Sequence, residues 1–196
     1  MSLLAAMSRR VHIVGASGAG TTTLGRALAR GLDCPHLDTD DYFWLPTRPP
    51  FTHQRPAPER HALLEADLSR HAGWVLSGSL CGWGDVFIPR FDLVVFVSLP
   101  HAIRLARLGE REQQRYDAAA IAPGGALHAT HQVFMAWAAA YDDGGRDVRS
   151  RLVHEQWLAG LPCPVLRVTS MDAVDELVAQ TVRALSTMNQ VRDPGV

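Results

Sequence analysis

Val11-His12-Ile13-Val14-Gly15-Ala16-Ser17-Gly18-Ala19-Gly20-Thr21-Thr22-Thr23 is the stretch from which the rest of the chain can be read. Val11 to Val14 is a short apolar run, three of its four residues β-branched, and it predicts a strand. Glycines follow, and the threonines open a helix of about Thr21 to Gly31. Gly15 and Gly20 occupy the two glycine positions of the phosphate-loop pattern G-x-x-x-x-G-K-[ST]. Glycine lets the backbone turn sharply and brings successive N–H groups toward one anion. The helix N-terminus adds about half a positive charge. Gly15, Ala16, Ser17, Gly18, Ala19, Gly20, Thr21, Thr22 and Thr23 are therefore candidate phosphate ligands. Thr22 stands where a hydroxyl would ligate Mg²⁺. One position departs from the pattern: Thr21 replaces the lysine that normally bridges the β- and γ-phosphates. Losing that charge-assisted contact removes roughly 1.5–3 kcal/mol of binding.

Working outward, short apolar runs alternate with helical patterns. Strands are expected at Val11–Val14, Cys34–Leu37, Trp74–Ser77, Leu93–Val97 and Val165–Val168. Helices are expected at Glu59–His71, Ala102–Tyr116, Leu127–Tyr141, about Val148–Leu158 and Ala173–Leu185, with a Pro-rich loop from Leu45 to Pro58. This alternation predicts a parallel sheet with helices on both faces. The 196 residues fit one domain, and 47 % apolar with 20 % charged residues is an ordinary globular balance. A net charge of −1 argues against a nucleic-acid binder. All 19 cationic side chains are arginine. Cys34, Cys81 and Cys163 are too few and too scattered for a disulfide framework or structural zinc. No run reaches the ~18 apolar residues of a membrane span, and the N-terminus lacks the pattern of a secretory signal. A cytoplasmic protein with loose ends, the second from about Asn189 to Val196, is the expectation.

The lysine-free loop, the acidic end of strand two, the glycine-rich end of strand three and the arginine-bearing helix after strand four resemble the adenylate-kinase-like (nucleoside monophosphate kinase) superfamily of P-loop kinases. The chain is nearer still to small bacterial adenylate-kinase-related or AAA-family ATPases. These carry a similar G-x-S-G-x-G-T-T-T loop and similar Asp-Thr-Asp-Asp-Tyr and Gly-Trp-Gly-Asp segments. The resemblance implies a three-layer α/β fold with five parallel strands ordered 2-3-1-4-5 and ligands at the strands' carboxyl ends. It implies one nucleotide-binding domain over 1–196, with its core at about 9–188, a short lid at about 116–127 and an acceptor-side insertion at about 40–72. It implies ATP and Mg²⁺, and a nucleotide or other small molecule as acceptor. Oligomeric state stays open.

Asp38, Asp40 and Asp41 end strand two, and Tyr42, Phe43 and Trp44 follow. Similar small-molecule kinases use an aspartate here to reach Mg²⁺ or accept the acceptor's proton. The same residues make good turn and N-cap chemistry. Arg104, Arg107, Arg111 and Arg115 fall on one helix face. With no lysine in the chain, Arg107 and Arg111 are candidates for neutralising the transferred phosphoryl, Glu110 and Glu112 offering a solvated salt-bridged alternative. Arg149 or Arg151, with Arg146 in a second cluster, would close from the other side. Catalytic roles are thus expected for Asp38, Asp40, Arg107 and Arg111, cofactor contact for Arg149, and metal ligation for Thr22 and Asp38. Trp83, Asp85 and Ser79 could form a stacking surface or a packed turn, and Arg55 or Arg60 could meet the acceptor. His128 and His131 read as structural more readily than as metal ligands, and His12 as a core residue.

Three functions fit. The first is ATP-dependent phosphoryl transfer to a small acceptor. The second is nucleotide binding with little or no transfer, which the missing lysine favours. The third is a sulfotransferase-type site, ranked last because that loop carries its own lysine. A GTP switch is disfavoured, since its Asn/Thr-Lys-x-Asp motif needs a lysine.

Overall fold

The computed structural model describes residues 8–192, with side chains to 188. Five parallel strands form one sheet: β1 (Arg10–Gly15), β2 (His36–Asp38), β3 (Trp74–Ser77), β4 (Leu93–Ser98) and β5 (Val165–Thr169). Their order is β2-β3-β1-β4-β5, as expected. β1 is central because it is apolar enough to be buried on both faces. Val11 and Ile13 pack with Leu24, Leu28, Leu177 and Leu185 on one face. Val14 packs with Leu64, Trp74, Leu76 and Phe91 on the other.

Helix α1 (Thr21–Leu32) buries Leu24, Leu28 and Leu32, spaced four apart, and ends at Asp33 with φ +52. Helix α3 (Ala57–Ser69) carries Pro58 in its first turn, where a missing N–H costs nothing. The remaining long helices are α4 (His101–Arg115), α6 (His128–Ala139), α7 (Arg151–Ala159) and α8 (Val174–Arg192).

Three elements were not foreseen. They are α2 (Thr39–Phe43), a 3-10 helix (Asp85–Arg90) and α5 (Ala118–Ile121). Each is a turn or two long, below the length at which apolar periodicity can speak. β2 starts at His36 and not Cys34, because Pro35 precedes it and Cys34 N–H is spent on Ala29 O at 3.0 Å. α7 starts at Arg151 and not Val148, because the Ser150 hydroxyl caps it by accepting from Val153 N. Of the ends read as loose, residues 1–7 and 193–196 lie outside the described residues. Arg10 already belongs to β1, and α8 runs past Asn189 to Arg192. Among the described residues no helix is long and apolar enough to cross a membrane.

His12 is fully buried in β1, stacked on Phe91 at 4.9 Å. Its Nδ1 lies 3.1 Å from Leu76 O, and since a carbonyl only accepts, Nδ1 carries the proton. Burial pushes its pKa down to about 3.

Candidate functional site

The loop leaves the carboxyl end of β1 and enters α1. Gly18 (φ +84) and Gly20 (φ +95) hold left-handed backbone that a side chain would strain. Ala19 N–H donates to Ala16 O at 3.0 Å and tightens the turn. Gly20 supplies no side-chain cap, so the first amides of α1 have neither an intrahelical partner nor a capping oxygen. They remain for an anion.

The sheet order brings β2 and β3 beside this loop. Thr22 Oγ1 donates to Asp38 Oδ2 at 2.8 Å, and Ser77 Oγ donates to the same oxygen at 3.3 Å. Asp38 Oδ1 accepts from Asp40 N at 3.1 Å and caps α2. Asp38 is therefore both N-cap and neighbour of the loop hydroxyl. A threonine hydroxyl beside a carboxylate is a hard-oxygen donor set that fits Mg²⁺.

Asp40 is exposed at the cleft. Its pKa is raised by desolvation from the protein packed around it and by the Asp38 carboxylate. Arg149, a hydrogen bond from the Trp44 side chain and Arg111 oppose the rise. Asp41 is raised for the same two reasons, opposed by His36 and Arg26.

The opposite wall comes from α4, α6 and the segment before α7. Arg149 Nη2 donates to Ser17 Oγ at 2.6 Å, and its guanidinium lies 4.5 Å over the Trp137 ring. Its Nε is buried without a partner. Arg111 lies 6.0 Å over the Phe134 ring and donates to Glu112 at 3.1 Å. Phe134 and Trp137, one turn apart on α6, thus face two guanidiniums. Arg107 donates to Ser170 Oγ at 2.9 Å and to Ser170 O at 3.2 Å. At the rim, Arg115 lies 4.8 Å over the Phe51 ring.

Several of the named residues are engaged within the protein. Arg104 is buried, donating to Ser17 O, Ala138 O and Asp142. Arg151 pairs with Asp142, so of the second cluster it is Arg149 that turns to the loop. Arg107 and Arg111 have separate partners here, Ser170 for one and Glu112 for the other. Trp83 Nε1 donates to Ser79 O at 2.9 Å, and Asp85 accepts from Trp157 Nε1 at 2.8 Å. Both polar handles are thereby used within the protein. Arg60 is buried, 3.8 Å over Phe43, and donates to Arg55 O and Gln54. Arg55 donates to Tyr42 O and Trp44 O. His128 Nδ1 donates to Ile121 O at 3.0 Å, while both nitrogens of His131 are buried without a partner. These two line a cavity of about 290 Å³ between α4, α5 and α6. Among the described residues no three metal-binding side chains cluster.

The sequence reading missed three partners. Asp142 accepts from His101, Arg104 and Arg151. Desolvation would raise its pKa, but these hydrogen bonds outweigh it and hold the carboxyl at about 2. Ser170 receives Arg107. Buried His154 joins Tyr141 OH, 2.8 Å from its Nδ1, to Ser79 Oγ, 3.3 Å from its Nε2. Desolvation, with Arg149 nearby, lowers its pKa to about 4. No local pattern marks these contacts, which join residues 9 to 75 positions apart.

The sheet order, the glycine loop and its hydroxyl–carboxylate pair define a P-loop kinase-like fold. It is similar to a gluconokinase from Sinorhizobium meliloti 1021, with TM-score 0.50 and 17 % identity over 92 % of this chain and 93 % of that one. It is also similar to a shikimate kinase from Acinetobacter baumannii in complex with shikimate, with TM-score 0.56 and 17 % identity over 92 % and 94 %. The chain belongs to the AAA domain family, whose model matches residues 11–122. It is 48 % identical over 181 residues to "Uncharacterized protein YqaC" of Bacillus subtilis (strain 168), covering 92 % of this chain and 99 % of the relative.

Proposed function

We propose that this protein transfers the γ-phosphoryl group of ATP to a small acceptor, a nucleotide or another hydroxyl- or phosphate-bearing molecule. The observation that carries the reading is one cleft that gathers the loop, the Thr22–Asp38 pair, Asp40 and Arg149. The amides of Gly15 to Thr23 hold the phosphates, and Thr22 and Asp38 hold Mg²⁺. The ion, when bound, neutralises charge on the β- and γ-oxygens. Asp40 takes the acceptor's hydroxyl proton, a role its raised pKa suits. Arg149 supplies the charge that Thr21 cannot. Its planar fork suits two phosphate oxygens, and its unpartnered Nε is a donor in waiting. Arg107 and Arg111 add charge once they leave Ser170 and Glu112. Residues 116–127 act as the lid and 40–72 as the acceptor side of the single domain.

A second reading, nucleotide binding without transfer, is favoured by the hold of Glu112 on Arg111 and of Ser170 on Arg107. Turnover of [γ-³²P]ATP against a panel of acceptors, beside calorimetry of Mg-ATP binding, separates the two. Transfer that needs one acceptor supports the first, and binding with none across the panel supports the second. Thr22→Ala should weaken Mg²⁺-dependent binding and Gly20→Val should block it. If both variants bind as the parent does, the nucleotide lies elsewhere.

A further inference from the structure

We infer that Arg104 and Asp142 are a positioning pair that sets the apex of the phosphate loop and the Arg149 segment in register, without either touching nucleotide. The inference rests on the reading that Arg149 stands in for the missing lysine.

Arg104 is 1 % exposed, the most deeply buried cation of the α4 stripe. Burying a guanidinium is costly unless its donors and its charge are both met. Here the charge and the two terminal nitrogens are met by three separate parts of the chain, while Nε stays without a partner. Nη1 donates to Ser17 O at 3.3 Å and to Ala138 O at 2.9 Å, the latter in the last turn of α6. Nη2 donates to Asp142 Oδ2 at 2.9 Å, and the guanidinium lies 5.3 Å over the Tyr141 ring. α4 also presses on the loop itself: a Cβ on Gly18 would lie 2.7 Å from Leu108 Cγ and 3.0 Å from Arg104 O.

Asp142 carries the connection onward. His101 and Arg104 of α4 reach its Oδ2, and Arg151, first residue of α7, reaches its Oδ1. The stretch from Tyr141 to Arg151 is closed on itself. Arg151 N–H donates to Tyr141 O at 2.7 Å, and the Ser150 hydroxyl donates to Gly145 O at 2.7 Å. Arg149 hangs from this closed loop, and its guanidinium returns to Ser17. Ser17 is thus gripped twice, by its carbonyl through Arg104 and by its hydroxyl through Arg149. A loop with its own lysine carries its cation in the same chain segment. This loop must have its cation delivered, and the Arg104–Asp142 pair fixes where it arrives.

The test uses the full chain with Asp142→Asn, which removes charge but little volume, and Arg104→Lys, which keeps charge but loses the fork. Asp142→Asn should fold and bind Mg-ATP within about threefold of the parent. Misplacement of the cation should slow single-turnover transfer by up to about 10²-fold. Adding Thr21→Lys should recover at least tenfold of that loss, while the same addition should recover nothing in Asp40→Asn. Parent-like transfer in Asp142→Asn, or a loss that Thr21→Lys leaves unchanged, overturns the inference. If the parent itself transfers to no acceptor, the functional reading has failed and hydrogen exchange decides the pair. Asp142→Asn and Arg104→Lys must then both speed exchange at residues 15–20 and 143–150. Unchanged exchange in either segment overturns it.

Discussion

The two walls of the cleft are finished to different degrees. On the strand side Asp38 is already well engaged, with Thr22, Ser77 and the amide of Asp40 donating to it. On the helix side Arg149 is half-buried against Trp137, with a hydrogen bond to Ser17 and an Nε that has none. Arg104, whose Nε likewise lacks a partner, differs in holding a carboxylate, Asp142, at 2.9 Å. A guanidinium paired with a carboxylate fixes geometry, while one donating to a hydroxyl keeps its charge for what binds. The difference separates the part of the helix wall built by folding from the part finished by a ligand.

The sharpest way to break this comparison is Asp40→Asn. If Asp40 takes the acceptor's proton, transfer should fall by about 10²–10⁴-fold with Mg-ATP affinity unchanged. Equal losses in both, measured by steady-state kinetics and calorimetry, would move Asp40 to the nucleotide side.

The seam between the walls is tested by acid. Above about pH 6.5 the imidazoles of His12 and His154 are neutral in folded and unfolded chains alike, so they do not alter stability. As pH falls below that, the unfolded chain binds protons that the folded chain refuses. Stability is then lost down to about pH 4 for His154 and about pH 3 for His12, where the folded forms would also protonate. At pH 5 each group should cost about 2 kcal/mol relative to pH 8, roughly a thousandfold together in the folding equilibrium. His154→Gln should flatten its share of the urea-denaturation profile between those pH values. A profile that His154→Gln leaves unchanged would mean that this imidazole is not held neutral.

On the helix wall, Arg149→Ala should slow transfer by about 10²–10³-fold, the scale of one lost transition-state donor. Thr21→Lys should restore part of it. Full activity in Arg149→Ala would return the lysine's role to Arg107 or Arg111. The smallest effect belongs to the ring beneath it. Trp137→Leu removes a partly exposed cation–π contact of about 0.5–1 kcal/mol and should change single-turnover transfer by only a few-fold. A loss as large as that of Arg149→Ala would make the indole itself a ligand surface.

What could be read in the sequence divides along the same line. The loop, the strands and the acidic end of β2 are local patterns, with glycine spacing, apolar runs and Asp-Thr-Asp-Asp all inside single segments, and the strand order is what the family resemblance implies. The helix wall is a set of long-range pairings. Four arginines at helical spacing look alike in one dimension, yet burial makes Arg104 a strut, Ser170 holds Arg107, Glu112 holds Arg111, and Arg115 lies on Phe51. Spacing reveals which residues share a face and says nothing of what packs against it. Trp83 stayed open between a stacking surface and a packed turn for the same reason, and the indole N–H bond to Ser79 O fits the packed turn. The absence of lysine was the one global signal. It required the missing cation to be an arginine without saying which of the nineteen it was.

The Ser79–His154–Tyr141 bridge has a mechanical consequence. Through His154 of α7 it links the loop after β3 to the connection between α6 and α7, so the two walls are tied to each other. At the mouth, the Arg115–Phe51 contact is a light latch, about 0.5–1 kcal/mol at a partly exposed site and so only a few-fold in population. A tie of buried hydrogen bonds holds its spacing while a light latch opens and closes by thermal motion, so the Phe51 side of the molecule gives way before the Ser79 side.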